Sequence, residues 1–313
     1  VMGNKEKNFV SAVIYVHNAE KRIKDFLDTI IHVMENNFEH SEIICVNDAS
    51  DDRSLDVIKE ISKMAITTSI SVVNMSYFHG LELAMNAGID MSIGDFVFEF
   101  DNTRLDYHPD VIMEIYHHSL KGYDIVSASA DVKEKFGSKL FYKIFNRFTD
   151  LSYEMHTESF RILSRRVINR IGSMNKTIPY RKAIYANCGL KTDNIKYSVT
   201  DMAVKVDDRK ERHYRFGLAV DSLVLFTDFG YKVSMAMTLI MMLMSIFMVV
   251  YSLITYFIAH PVEGWTTTIL FLSVAFFGLF GILTIVVKYL QILVDMVFKR
   301  KHYSFESIEK LTK

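Results

Sequence analysis

The chain has 313 residues, half of them hydrophobic, and a formal net charge of −1. This length accommodates one large domain or two smaller ones. The nearly neutral charge balance argues against a nucleic-acid-binding protein, because such proteins carry a surplus of lysine and arginine.

The first 130 residues alternate between apolar runs typical of strands and amphipathic runs typical of helices. The pattern predicts strands over residues 9–16, 42–46, 68–74, 96–100 and 124–128, with helices over residues 19–36, 54–63, 80–91 and 109–120. This alternation is typical of an α/β fold with a doubly wound, mostly parallel sheet. Beyond it, the less regular pattern predicts a helix over residues 139–151, a helix start near 164–171 and a strand-like segment over 194–206.

Two long runs without a charged residue follow, at residues 233–259 and 266–287. Each exceeds the roughly 20 residues that a helix needs to span a bilayer. Basic residues flank the pair at Lys232 and Lys288, and the link between the runs has no lysine or arginine. The positive-inside rule then predicts an integral membrane protein with its N-terminal domain and C-terminus in the cytoplasm. A pair of buried core helices is the alternative.

Acidic residues follow two of the predicted strands at their carboxyl ends. Asp48 lies just after the second strand and Asp101 just after the fourth. Because ligands bind beyond the carboxyl ends of strands in open α/β sheets, the pattern indicates a nucleotide or metal–phosphate site. Asp101 can bind a hard divalent cation. Thr103 stands where a second acid would be expected, and Asp106 can take its place if the loop folds back.

Three further segments can carry chemistry. The loop at residues 46–52 can accept hydrogen bonds from a base or ribose; a solvated turn that caps the next helix is the alternative. Gly80 begins a helix whose backbone N–H groups can approach a phosphate, although a simple helix start gives the same pattern. Glu158 can act as a general base and Arg161 or Arg165 can hold a phosphate. The alternative for Glu158 is a surface acid beside a helix cap.

Five motifs in this order resemble family 2 glycosyltransferases of the dolichol- or polyprenyl-phosphate sugar synthase type. The segment VSAVIYVHNAE at residues 10–20 is similar to the family's opening strand, and VNDASDD at residues 46–52 to its base-binding loop. Residues 84–95 resemble the segment that precedes the metal-site strand in this family. SFRILSRR at residues 159–166 resembles the family's acceptor-side motif. Residues 264–290 resemble the C-terminal two-helix anchor of this group.

The resemblance implies a GT-A domain that transfers a sugar, with inversion, from a nucleotide-diphosphate sugar to a polyprenyl-phosphate or other lipid-linked acceptor. It implies Mg²⁺ or Mn²⁺ on the diphosphate, bound by Asp101; Asp106 is the candidate for the second metal ligand if the loop folds back. It implies catalytic roles for Asp101, Glu158 and Arg161, and acceptor-phosphate contacts from Arg161, Arg212 and Arg215. The nucleotide contacts that it implies are Val16, Asn18, Glu20, Asn47, Asp48, Ser50, Gly80 and Asn86.

The resemblance also implies a domain order. Residues 1–216 are the glycosyltransferase domain, with a nucleotide-binding half over 1–130 and an acceptor half over 131–216. Residues 217–232 are an amphipathic helix at the membrane surface, residues 233–290 hold the two spans, and residues 291–313 are a basic cytoplasmic tail. Self-association through the helical hairpin stays open.

Several departures from the family pattern fall on the chemistry. The metal motif D-x-D reads Asp101-Asn102-Thr103, the residue before F-R is Ser159, and the G-x-S-x-Y acceptor loop is absent after Tyr214. A second hypothesis is therefore a catalytically impaired relative that acts as a membrane-anchored binding or scaffold protein in glycan assembly. A channel or transporter fits poorly, because neither apolar run contains an acid or a base.

Overall fold

The computed structural model describes residues 5–131, 157–173, 180–200, 265–298 and 303–312, with a few isolated residues between 143 and 247. The strands are β1 (Val10–Val16), β2 (Ser41–Asn47), β3 (Ser69–Met75), β4 (Phe96–Phe100), β5 (Ile125–Ala130), β6 (Phe160–Ser164), β7 (Thr192–Tyr197) and β8 (Phe305–Lys310). The helices are α1 (Glu20–Asn37), α2 (Ser54–Ile61), α3 (Leu81–Met91), α4 (Asp110–Ser119), α5 (Arg165–Ser173), α6 (Arg181–Asn187) and α7 (Trp265–Phe298).

The strands form one eight-stranded sheet in the order β7-β5-β6-β4-β1-β2-β3-β8. Its centre is parallel, because β1 pairs in parallel with both β2 and β4, and β2 with β3. Strand β6 runs antiparallel to β4 and β5, and β8 runs antiparallel to β3. Strand β5 pairs in parallel with β7. The predicted α/β class is confirmed, and the sheet is mixed, with parallel pairs at its centre and antiparallel pairs at β6 and β8.

Strand β4 has a different role on each face, because successive side chains of a strand point to opposite sides. Phe98 and Phe100 are buried in the core that includes α1, where the Phe100 ring meets Phe26 edge-on at 5.4 Å. Val97 packs on the other face, in the core that includes α3. Glu99 shares that second face and is fully buried, so a charged group lies inside the sheet next to Asp101.

Helix α3 lies directly on the parallel strands because of Gly88. A Cβ built on Gly88 would lie 2.4 Å from Val13 Cγ1 and 2.6 Å from Val46 Cγ2. Real Cβ atoms do not approach that closely, so only glycine permits this distance between helix and sheet. The close contact fixes α3, and with it the turn that precedes the helix, against β1 and β2.

Strand β8 comes from the segment that the sequence analysis placed in a tail. Its residues pair with β3, and Ile70 N–H donates to Thr312 Oγ1 at 2.7 Å just beyond the pairing. Asn74 Nδ2 donates to Ser307 Oγ at 3.0 Å and to Glu309 Oε1 at 3.1 Å. The strand was not predicted because it is short and rich in charge, as edge strands often are. Such a segment shows no apolar pattern to detect.

Helix α7 contains the second of the two predicted membrane spans. It runs for 34 residues and continues past the uncharged run through Lys288 and Asp295. Within the described ranges, none of the helices combines the length and the apolarity that a membrane crossing requires. The predicted localisation, an integral membrane protein with the domain and C-terminus cytoplasmic, is therefore wrong for this part of the chain. The prediction rested on the uncharged runs of the sequence alone.

Several predicted segments cannot be compared with the structure. The first predicted span (233–259), apart from single residues, and the amphipathic segment before it (217–232) lie outside the described residues. The same holds for the predicted helix at 139–151, apart from one residue, and for the last part of the strand-like segment at 194–206.

Candidate functional site

The loops after β1 and β2 interlock at the carboxyl edge of the parallel strands. Asn18 N–H donates to Ser50 Oγ at 3.2 Å, and Asp51 N–H donates back to Asn18 Oδ1 at 2.9 Å. Glu20 N–H donates to Asp52 Oδ2 at 2.9 Å, so the first turn of α1 joins the same network. Asn18 adopts a positive φ of 46°, a conformation in which asparagine is favoured. The two loops therefore form one rigid rim.

Asp48 is fully buried beneath this rim and caps helix α3. Its Oδ1 accepts the His79 N–H and its Oδ2 the Gly80 N–H, both at 2.8 Å, and Tyr15 OH donates to Oδ2 at 3.1 Å. A carboxylate at a helix N-terminus is favourable because it meets unpaired N–H groups and the positive end of the dipole. Gly80 turns the chain into α3 with a φ of 81°. Its N–H is therefore bound within the protein, not directed at a phosphate.

The other predicted nucleotide contacts divide between this rim and the far side of α3. Val16 is buried, and its carbonyl accepts the Asp48 N–H at 2.8 Å. Asn47 Nδ2 donates to Asn74 Oδ1 at 3.0 Å, which ties the rim to the edge of the sheet that bears β8. Asn86 lies apart from them, where it lines a cavity together with Tyr185.

A buried cluster of charges occupies the end of β4. The register of β4 and β6 sets Arg161 directly opposite Glu99. Each of the three guanidinium nitrogens of Arg161 donates to a different carboxylate: Nη1 to Glu99 at 2.7 Å, Nη2 to Asp101 at 2.8 Å and Nε to Glu158 at 3.1 Å. The Arg161 side chain is 1% exposed. Three of its five N–H donors are thus bound to carboxylates within the protein.

Arg181 completes the cluster from α6. Its Nη2 donates to Asp101 Oδ1 at 2.6 Å, so each oxygen of the Asp101 carboxylate accepts from a different arginine. Glu82 Oε2 accepts both the backbone N–H of Arg181 at 2.9 Å and its Nε at 3.1 Å. One turn further along α6, Tyr185 OH donates to Glu99 Oε1 at 2.5 Å. Arg181 Nη1 is buried and has no hydrogen-bond partner among the described residues.

Burial and charge move the pKa values of this cluster in opposite directions. Burial alone would raise the pKa of Asp101, but the charges of the two arginines and Lys182 outweigh it and hold that pKa well below its usual range. Burial lowers the pKa of Arg161, but the surrounding carboxylates outweigh this effect. The pKa of Arg161 therefore lies above its usual range. Burial raises the pKa of Glu82, and its arginine partner offsets only part of the rise. Asp101 is therefore ionised in its ion pairs.

The predicted metal site is not assembled by the described residues. Asp106 Oδ1 accepts from Tyr197 OH at 2.9 Å, and that hydroxyl also contacts Ser159 Oγ at 2.5 Å. Thr103 is buried and supplies no carboxylate. No three His, Cys, Asp or Glu side chains of the described ranges converge as a metal site requires. With both Asp101 oxygens held by arginines, these residues do not fit a divalent cation.

The structure brings the three predicted catalytic residues Asp101, Glu158 and Arg161 into contact, and their catalytic roles stay a prediction. Arg165 instead donates from Nε to Gly94 O at 2.8 Å and so holds the turn before β4. The two remaining predicted phosphate contacts, Arg212 and Arg215, lie outside the described residues.

Sequence reasoning missed four members of the buried cluster: Glu82, Glu99, Arg181 and Tyr185. Two signals were available. A glutamate inside the otherwise apolar strand FVFEF requires a buried partner. Arg181 and Tyr185 are four residues apart and therefore share one helix face. Neither signal identifies the partner, because the contacts join residues 60 to 99 positions apart.

The fold is an α/β sheet with two interlocked loops and a buried charge cluster at the carboxyl edge of its parallel strands, and comparison with known proteins gives the family. The sequence pattern described as Glycosyl transferase family 2 matches residues 11–172, slightly more than half of the chain. The chain therefore belongs to glycosyl transferase family 2.

The chain is similar to several bacterial and phage relatives. An uncharacterized glycosyltransferase of Synechocystis sp. is 31% identical over 188 residues, which are 58% of each chain and so less than two thirds of that relative. The uncharacterized glycosyltransferase YkcC of Bacillus subtilis is 25% identical over 83% of this chain and 81% of its own. The bactoprenol glucosyl transferase of Shigella phage SfX is 26% identical over 86% of this chain and 88% of its own.

Solved structures share the fold at low sequence identity. Mannosyl-3-phosphoglycerate synthase from Rubrobacter xylanophilus superposes with a TM-score of 0.52 and 15% identity, over 69% of this chain and 74% of that one. Glucosyl-3-phosphoglycerate synthase from Mycobacterium tuberculosis, solved with Mn²⁺, UDP-glucose and phosphoglyceric acid, gives a TM-score of 0.50 and 12% identity over 69% and 78%. These likenesses establish the glycosyltransferase fold alone.

Proposed function

We propose that the chain transfers a sugar, with inversion at the anomeric carbon, from a nucleotide-diphosphate sugar to a polyprenyl-phosphate or another lipid-linked acceptor. One observation carries the proposal: the interlocked loops after β1 and β2 and the charged end of β4 share the carboxyl edge of parallel strands. Nucleotides bind at that edge in open α/β sheets. The names of the phage relatives, bactoprenol glucosyl transferases, support a lipid-linked acceptor.

In this proposal the rim of the two loops holds the base and ribose. Asn18, Glu20 and Ser50 offer polar groups at its partly exposed surface. Asp48 is fully buried and acts through the backbone: it fixes the rim against α3 by capping the helix. Val16 and Asn47 lie at the base of the rim. The Gly80 N–H is bound to Asp48, and Asn86 lies apart from the rim beside Tyr185.

The proposed chemistry is a displacement at the anomeric carbon. An oxygen of the acceptor phosphate forms the new bond, the bond to the diphosphate oxygen breaks, and the nucleoside diphosphate leaves with the electron pair. An ionised phosphate has no proton to lose, so the step needs positioning more than a general base. Glu158, which accepts from Arg161, then acts as a positioning residue. Arg212 and Arg215 remain our candidates for the acceptor phosphate.

A second candidate function is a binding or scaffold protein without turnover. The observation that favours it is the Asp101 carboxylate, whose two oxygens are already bound, next to the neutral Thr103. If the cluster only stabilises the fold, the chain retains the glycosyltransferase architecture and has no need of a donor substrate.

Calorimetry of the purified full chain with UDP, GDP and their glucose and mannose conjugates tests the proposal. We expect one nucleoside diphosphate to bind, and Ser50→Ala together with Asn18→Ala to weaken it at least tenfold. The control Asp110→Asn changes an exposed carboxylate at the start of α4 and should leave the affinity unchanged. If none of the nucleotides binds, the transferase proposal is wrong and the scaffold function is favoured. Transfer of labelled sugar to polyprenyl phosphate then tests the acceptor.

A further inference from the structure

The end of β4 holds two guanidinium groups where the sequence resemblance predicts a divalent cation. Arg161 Nη2 and Arg181 Nη2 donate to the two oxygens of Asp101 at 2.8 Å and 2.6 Å. Both arginine side chains are 1% exposed. A divalent cation on Asp101 would have to displace one of these pairs and would then lie beside buried positive charge, which is electrostatically unfavourable.

The other residues that the structure describes do not rebuild a cation site around Asp101. Thr103 is neutral, and Asp106 is engaged by Tyr197. Glu158, the remaining carboxylate near the surface of the cluster, already accepts from Arg161. The donor set at this strand end therefore suits guanidinium groups and not Mg²⁺ or Mn²⁺, which require several free oxygen ligands.

Arg181 also has an unused donor. Buried polar groups are nearly always paired, so a buried nitrogen without a partner is a donor still available to a ligand or a water molecule. Glu82 accepts hydrogen bonds from both the backbone N–H and the Nε of Arg181. These two bonds hold the guanidinium group in one orientation. Nη2 is bound to Asp101, which leaves Nη1 beside the same strand end with no described partner. Guanidinium groups bind phosphate oxygens with strong, oriented hydrogen bonds.

We propose that Arg161 and Arg181 replace the divalent cation at this site, so that the chain binds the diphosphate of its nucleotide without a metal ion. In this arrangement Arg161 neutralises Asp101 and holds it in place, and Arg181 Nη1 donates to an oxygen of the diphosphate. The inference rests on the proposed function, because it concerns the donor of that same site.

The test compares nucleotide binding by the full chain with and without metal. UDP and GDP are titrated by calorimetry in EDTA and again in excess Mn²⁺, and Mn²⁺ alone is titrated with detection by electron paramagnetic resonance. We expect the dissociation constant of the bound nucleotide to agree within threefold in EDTA and in Mn²⁺, and no Mn²⁺ to bind to the protein alone. Binding that requires Mn²⁺ overturns the inference and leaves the proposed function standing. Failure to bind under both conditions overturns both.

Variants identify the arginine that meets the diphosphate. Arg181→Met should weaken UDP or GDP binding in EDTA at least tenfold and leave the corresponding nucleoside, which has no phosphate, bound as in the wild type. The matched control is Arg170→Met, which removes an arginine that contacts the carbonyl of Cys188 outside the cluster. Equal losses for nucleotide and nucleoside would show that Arg181 only supports the fold. If Arg181→Met does not fold, the comparison of EDTA with Mn²⁺ on the wild type still decides the proposal.

Discussion

Asp101 illustrates at the residue scale how a carboxylate can stabilise a fold through its partners. It is the shared acceptor of two buried arginines, Arg161 and Arg181. Asp101→Asn removes the negative charge between the two guanidinium groups and one of the two oxygens that accept from them. Breaking a buried pair in this way costs about 3–5 kcal/mol. Denaturant unfolding of the variant measures the loss.

The control for Asp101→Asn is Asp56→Asn, because Asp56 forms an exposed pair with Arg53 at 3.9 Å. Exposed pairs contribute between zero and about 1 kcal/mol, so this variant should unfold almost as the wild type does. Similar losses for the two variants would contradict the picture of a tightly coupled buried cluster.

The same carboxylate predicts how stability depends on pH. Because the folded-state pKa of Asp101 lies below its ordinary value, ionisation stabilises the folded state. This stabilisation is fully present above about pH 4, the pKa of an unfolded aspartate, and is lost as the pH falls toward the folded-state pKa. The unfolding free energy of the wild type should therefore fall more steeply between about pH 4 and pH 2 than that of Asp101→Asn. Parallel pH profiles would show that Asp101 is not the titrating group.

The residues of the cluster show why sequence alone gave only part of the site. Asp101 was recognised by its place at a strand end, and Arg161 by its motif. Their contact depends on the antiparallel pairing of β4 with β6, which sets Glu99 opposite Arg161. Arg181 comes from a further helix, and nothing local to it indicates its partner. Partners that meet only through tertiary structure leave no periodic pattern in the sequence.

At the scale of elements, β8 depends on one buried asparagine. Asn74 Nδ2 donates to Ser307 and Glu309 of β8. Asn74→Val keeps a good strand former and leaves these acceptors and Asn47 without their partner. We expect a loss of about 1–3 kcal/mol in unfolding free energy and faster hydrogen exchange in residues 305–310. Mass-detected hydrogen exchange of the C-terminal peptide measures the second effect.

The matched control for Asn74→Val removes a different contact of Glu309. Lys59 Nζ contacts Glu309 Oε2 at 2.7 Å, and this pair is about two-fifths exposed. Lys59→Met should therefore cost less than about 1 kcal/mol and leave exchange in β8 unchanged. If Lys59→Met releases β8 as fully as Asn74→Val, the exposed pair and not the buried asparagine holds the strand.

The contact between α3 and the sheet gives a second element-scale prediction. Gly88→Ala places a methyl group within 2.4 Å of Val13 Cγ1, so helix or sheet must shift. Overpacking of this kind costs about 1–3 kcal/mol. Gly172→Ala is the control, since a Cβ there meets nothing within 4 Å and alanine is the better helix former. Thermal unfolding should show a lower midpoint for Gly88→Ala and an equal or higher one for Gly172→Ala.

The elements that sequence predicted well are those of the first 130 residues. Strands β1 to β5 and the helices between them lie within a few residues of their predicted bounds, because each is an apolar run of the right length and period. Strand β6 was taken only as a motif, and the C-terminal strand β8 was not predicted. Both pair antiparallel across long stretches of sequence, so their place in the sheet is a property of the fold and not of their composition.

At the scale of the whole molecule, the candidate site joins two structurally different halves of one sheet. The parallel half supplies the rim of interlocked loops after β1 and β2. The antiparallel half supplies Arg161 through β6, and α6 adds Arg181. Strand β4 belongs to both halves, because it pairs with β1 on one side and β6 on the other. A nucleoside diphosphate would therefore contact the first half with its nucleoside and the second with its diphosphate.

Hydrogen exchange with matched ligands tests this division. The nucleoside that corresponds to the bound nucleotide should slow exchange in residues 17–20 and 47–54 only, because it lacks the phosphates that reach the charge cluster. The nucleoside diphosphate should slow exchange in the same loops and also in residues 180–187, since α6 carries Arg181. Both ligands are used at about 100 times their dissociation constants, where bound ligand stabilises the folded state by about 2.7 kcal/mol. Protection of residues 180–187 by the nucleoside alone would contradict this division. It would show that α6 responds to the nucleoside and not to the diphosphate.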